Sequence, residues 1–143
     1  MFGFFKKKQL LNDASLQIAS SITNMLNVQL TLCRSSDKIL DNWAIGYICG
    51  FADGVLQYKG IGTDETGTAV MLMVLGNIFG DEKRVEYFER YVFLKESENL
   101  AALEGERIAG NEAYSLLNGS SKRAIGLTAY CHGVDQGFRF RKS

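Results

Sequence analysis

The chain has 143 residues, of which 46% are hydrophobic and 22% charged, with sixteen basic and sixteen acidic side chains and no net charge. That is the length and composition of one ordinary globular domain, and it excludes a disordered chain. Proline is absent, where about seven residues would be usual. Because proline breaks helix interiors and is common at turns and sheet edges, its absence points to a chain built from helices.

The three cysteines, Cys33, Cys49 and Cys131, are odd in number and far apart, which is no disulfide framework and suits a reducing, cytoplasmic setting. The start, Met1 to Lys8, lacks a signal-peptide pattern, because its lysines follow the apolar residues. The longest apolar run, Ala69 to Phe79, falls far short of the ~20 residues that span a bilayer. Charge is unevenly spread. Lys6, Lys7 and Lys8 at one end and Arg139, Arg141 and Lys142 at the other have no acid beside them, so the remaining ten basic and sixteen acidic residues leave the body at −6. An acidic body argues against a nucleic-acid face.

Spacing and caps divide the chain into about six helices. Asn12 caps a first helix with Leu16, Ala19, Thr23, Leu26 and Leu30 on one face, although Val28, Leu30 and Leu32 also alternate as a strand would. Ser36 or Asp37 opens a second helix that runs through Trp43, Ile45 and Ile48 towards Tyr58. A glycine loop, Lys59 to Thr63, precedes a third helix capped by Thr63, whose residues Ala69 to Phe79 predict a central element buried on most sides.

Gly80 ends that helix and Asp81 caps an aromatic-rich fourth, with Val85, Tyr87, Phe88, Tyr91 and Val92. Ser97 caps a fifth helix that reaches Leu117 before Asn118-Gly119. Ser120 or Ser121 opens a short sixth with Ile125, Leu127 and Tyr130, and the chain frays after Gly133. The expected fold is all-α: a compact bundle of about six helices with one core and no sheet, a single domain over residues 1–143 with short basic-aromatic tails at 1–8 and 138–143.

The clearest pattern is a stripe of small residues. Gly46, Gly50 and Gly54 recur every fourth residue in the second helix, and Ala101, Gly105, Ala109 and Ala113 do so in the fifth. A glycine inside a helix costs about 1 kcal/mol against alanine, so the repeat calls for close backbone approach. An internal helix crossing is the first reading, contact with a second copy of the chain the next, and room for a ligand the last. Asp53 sits inside this stripe. If buried, its carboxylate needs a partner and becomes a ligand-binding candidate with Tyr47, Cys49, Gln57 and His132 around it. The simpler expectation is that Asp53-Gly54 is a turn that interrupts the helix, with the carboxylate in water.

Ala52-Asp53-Gly54 resembles the Ala-Asp-Gly of TerB-like helical domains of the tellurite-resistance family. The resemblance implies a metal-binding helical domain with Asp53 as a ligand. It covers one short stretch, and the acid that should follow within a turn or two is absent, the next being Asp64 and Glu65. It assigns no family, and no metal or cofactor is expected.

No catalytic constellation stands out. Cys131 and His132, as helix neighbours, point about 100° apart and cannot pair with each other. Glu86, Glu89, Glu96, Glu98, Glu104 and Glu106 alternate with cations in the manner of a solvated helix face. Both ends interleave aromatics with cations: Phe2, Phe4 and Phe5 with Lys6, Lys7 and Lys8, and Phe138, Arg139, Phe140 and Arg141. Such segments suit packing or disorder, an anionic membrane surface, or a protein or single-stranded nucleic-acid partner.

The expectation that follows is a non-catalytic cytoplasmic module that binds protein, itself included, as a homodimer. A ligand-binding domain around Asp53 and a peripheral membrane protein are the alternatives.

Overall fold

A computed structural model of the protein describes residues 13–62 and 64–133. These form six α-helices with no strand among the described residues: α1 Asp13–Leu32, α2 Asn42–Tyr58, α3 Glu65–Phe79, α4 Arg84–Glu96, α5 Leu100–Leu117 and α6 Gly126–Cys131. Short 3₁₀ turns, Asp37–Leu40 and Asp81–Lys83, lead into α2 and α4. The chain is all-α, as its composition predicts.

The central element is α2 rather than α3. Twelve of its seventeen residues are buried, and it packs on each of the other five helices. The apolar run in α3 buries Ala69, Val70, Met71, Met73, Val74 and Leu75, but α3 lies to one side, against α1, α2 and α4. What makes α2 central is its small residues, which let α5 lie along it, a feature that a hydrophobicity count does not register.

Helix ends differ from the expected caps where a neighbouring residue has the better geometry. Asp64 caps α3, its Oδ1 accepting from the amides of Thr66 at 3.0 Å and Gly67 at 3.1 Å; Thr63 lies outside the described residues, as does Asn12. Ser97 closes α4 by donating to Phe93 O at 2.8 Å, and Glu98 turns the chain at a φ of 54°. Asn99 then caps α5 through the Ala102 amide at 3.0 Å. Ser36 caps the 3₁₀ turn through Lys38 N rather than α2 itself.

In α1 the buried line is Ser15, Ala19, Ile22, Leu26 and Gln29, a face rotated from the expected one, so that Leu16 is exposed. The helix continues to Leu32, and its strand-like end leaves Val28 and Leu32 in solvent. Finally, α6 starts at Gly126 because Ser120 and Ser121 bond within their own loop, to Asn118 Oδ1 and Arg123 O.

Candidate functional site

The glycine stripe of α2 is filled from within. A Cβ placed on Gly50 would lie 2.6 Å from Glu106 Cα. One on Gly54 would lie 3.2 Å from Gly110 Cα and 3.3 Å from Ala113 Cβ. Gly46 faces the backbone of Ala102, and Gly105 the backbone of Trp43. Two helix backbones thus run in near contact, and a side chain at Gly46, Gly50 or Gly105 would pry them apart. On α5 the seam runs through Ala102, Gly105, Ala109 and Ala113, all buried, while Ala101 is exposed. A strict four-residue repeat drifts off a helix face, and a mixture of threes and fours stays on it.

Asp53 is part of an unbroken helix. No turn interrupts α2 at Asp53-Gly54; the carboxylate is half-buried, and its Oδ2 accepts a 2.6 Å bond from Gln57 Nε2 one turn on. Of the residues expected around it, Gln57 is bonded to it, and Tyr47, Cys49 and His132 make their hydrogen bonds or packing elsewhere. Tyr47 points into the core. Cys49 is fully buried, and that burial, followed by the negative charge of Glu106, pushes its thiol far up. His132 is exposed at the end of α6, its Nε2 3.1 Å from Leu32 O.

Among the described residues no group of three His, Cys, Asp or Glu side chains is placed to hold a metal ion. A shallow hollow of about 590 Å³ lies elsewhere, on the outside of α1 between Leu16, Gln17, Ser20, Ser21, Asn24 and Met25. Phe2, Phe4, Phe5, Lys6, Lys7, Lys8, Phe138, Arg139, Phe140 and Arg141 lie outside the described residues.

The most connected polar cluster joins four helices. Tyr47 of α2 donates to Glu112 Oε1 of α5 at 2.5 Å and accepts from Gln29 Nε2 of α1 at 2.8 Å. Gln29 Oε1 in turn accepts from the amide and hydroxyl of Thr128 in α6. Glu112 also receives the amides of Gly126 at 3.0 Å and Ile125 at 3.4 Å, so one carboxylate caps the start of α6. Burial, then the charge of Glu112, holds the Tyr47 phenol well above its ordinary value.

Among the described residues every buried side-chain nitrogen and oxygen has a partner, so this cluster is a closed lock between helices. Sequence reasoning missed it. Gln29 and Glu112 are ordinary helix residues with nothing in their local spacing to mark them. A smaller group, closer to the surface, has Tyr91 donating to the Glu106 carboxylate while Lys95 Nζ approaches it at 3.1 Å. Burial and then that bond raise the Tyr91 phenol.

The outer face of α4 is different in kind. Val85 is 53% exposed, Val92 36%, Phe93 66% and, just past the turn, Leu100 82%. Val85 and Val92, like Glu89 and Glu96, are seven residues apart and so share the outside of the helix. Two cations of α4 are engaged by neighbouring elements: Arg90 Nη2 donates to Leu40 O at 2.8 Å and Asn42 Oδ1 at 2.7 Å, and Lys95, itself exposed, pairs with Glu106. Glu86, Glu89 and Glu96 stay exposed, with Lys83 reaching Glu86 only at 3.6 Å. The result is an open strip of apolar side chains edged by acids.

No protein family, curated protein or solved structure that the chain was compared with matches it. Among the described residues no helix is long and apolar enough to cross a membrane.

Proposed function

We propose that the chain is a non-catalytic binding module that associates with a second copy of itself, and that the outer face of α4 with Leu100 is its docking surface. The observation that carries this reading is the exposure of Val85, Val92, Phe93 and Leu100 among Glu86, Glu89 and Glu96, while Arg90 is held by Leu40 and Asn42 and Lys95 by Glu106. The natural complement of an apolar strip edged by acids is an aromatic segment bearing cations, and the sequence has such segments at both ends, Phe2 to Lys8 and Phe138 to Lys142.

A segment of one copy on the α4 face of another, exchanged reciprocally, gives a closed two-fold dimer. The apolar contacts supply most of the affinity and the charges set orientation and rate. The glycine seam has no part in this association, since α5 already fills it. Three unpaired thiols support a cytoplasmic setting.

The test is sedimentation equilibrium of the full chain from micromolar to near-millimolar concentration. A dimer is expected at low salt, weakened when the Debye length drops to about 3 Å at 1 M salt, and lost in Phe93→Ser and in Arg139→Glu/Arg141→Glu. A monomer throughout, or a dimer indifferent to both changes, overturns the proposal.

A further inference from the structure

Two of the three cysteines meet where the end of α1 packs on α6. Cys33 follows the last turn of α1, its amide bonded to Gln29 O at 2.9 Å. Its Sγ lies 3.6 Å from the carbonyl oxygen of Leu127, and Cys131 stands one helical turn beyond Leu127 on the same side of α6. The Cys131 thiol acts on that of Cys33, and both are buried and free.

The corner is braced on either side, by Ser36 Oγ donating to Cys131 O at 3.4 Å and by His132 Nε2 beside Leu32 O. Cys49 has a different setting. It is buried against Glu106, with no cysteine among the groups that act on it.

We propose that Cys33 and Cys131 are a redox pair, which a two-electron thiol oxidant such as hydrogen peroxide or glutathione disulfide converts into an intramolecular disulfide that latches α6 to α1. With peroxide, two S–H bonds and the O–O bond break, one S–S bond forms, and two water molecules carry off the oxygens and protons. With glutathione disulfide, a protein thiolate attacks one sulfur and expels a glutathione thiolate, and the second protein thiolate displaces the other glutathione. Cys131, 7% exposed against 0% for Cys33, is the first to be attacked or to attack.

Burial and the neighbouring thiol push Cys33 up to about 12, so this thiol stays protonated near neutral pH and reacts slowly. It answers sustained oxidation rather than a brief pulse. The latch fixes α6, whose first amides rest on Glu112, and so pins the lid of the buried polar cluster.

The pair is tested on the full chain, oxidised with hydrogen peroxide, alkylated in denaturant and mapped by mass spectrometry without reduction. The expected result is a cross-linked Cys33–Cys131 peptide with Cys49 alkylated, unchanged in Cys49→Ser and lost in Cys33→Ser and Cys131→Ser. The melting midpoint should rise by roughly 5–10 °C on oxidation and return with dithiothreitol. Three alkylated cysteines after an oxidant dose that fully oxidises added glutathione would overturn the proposal. So would sulfinic acid on Cys131, or cross-links only between chains. The peptide map of the unaltered protein decides the matter even if a serine variant does not fold.

Discussion

Two helix faces of this protein carry unusual residues, and the structure treats them in opposite ways. On α2, Gly46, Gly50 and Gly54 lie against the backbone of α5, and nothing is left open. On α4, Val85, Val92 and Phe93 stand in solvent among Glu86, Glu89 and Glu96. In sequence the glycine stripe is the more conspicuous of the two, yet it serves the fold. The face proposed for docking is marked instead by the exposure of its apolar side chains. Arg90 is held by Leu40 and Asn42 and Lys95 by Glu106, whereas Glu89 and Glu96 stand in solvent.

The contrast is broken most severely by adding side chains to the seam. Gly46→Val drives branched methyls into the Ala102 backbone, and urea unfolding should show a loss of roughly 3 kcal/mol or more, or no folded protein at all. Gly54→Ala sharpens the same point: with its nearest neighbours at 3.2 and 3.3 Å, a modest clash is offset by about 1 kcal/mol of helix propensity. Its midpoint should therefore move little. Equal effects at the two positions would mean that the crossing is looser than described.

An intermediate effect is expected in the buried polar cluster. Tyr47→Phe takes the acceptor from Gln29 Nε2 and one donor from Glu112, for about 1–3 kcal/mol in urea unfolding. A neutral result would show that water fills the gap or that the cluster does not hold the helices.

Burial also sets the alkaline limit of the fold. Cys33 moves from 9.0 to about 12 and Tyr130 from 10.0 to about 12, each chiefly through burial, and Tyr47 and Tyr91 move in the same direction. Groups whose values are raised on folding stabilise the fold fully below their unfolded values. That contribution is withdrawn as pH rises through the folded ones. Melting midpoints measured under reductant should hold steady to about pH 9 and fall between there and about pH 12. A midpoint flat across that window would contradict the burial of these groups.

The smallest effect on stability, and the largest on association, belongs to the open face. Phe93→Ser and Leu100→Ser should each leave the unfolding free energy within about 0.5 kcal/mol while weakening the proposed dimer in sedimentation. A large stability loss would place these side chains inside the fold.

The legible part of the fold was carried by regular signals. The lack of proline, the helical spacing and Gly80, which ends α3 at a φ of 99°, announce a helical chain, and the repeat of small residues announces a close crossing. Choices between neighbours were not legible. Thr63 and Asp64, or Ser97 and Asn99, are equally good caps in a string of letters, and the side chain that reaches the free amide is decided by the path of the loop.

Asp53-Gly54 reads as a turn by local preference, but Gly54 stays in the helix, packed closely on Gly110 and Ala113 of α5. The cluster of Gln29, Tyr47, Glu112 and Thr128 joins residues up to 99 apart in the chain, so no local pattern could reveal it. The open face of α4 was hidden for a related reason: its composition was visible, and the engagement of Arg90 by Leu40 and of Lys95 by Glu106 was not.

The most direct test of the contrast is a dilution series followed by amide NMR of the labelled full chain. The account predicts concentration-dependent shifts along residues 85–100, with the seam residues 46–54 and 102–113 unmoved. Shifts centred on the seam, or none anywhere up to near-millimolar concentration, would contradict it.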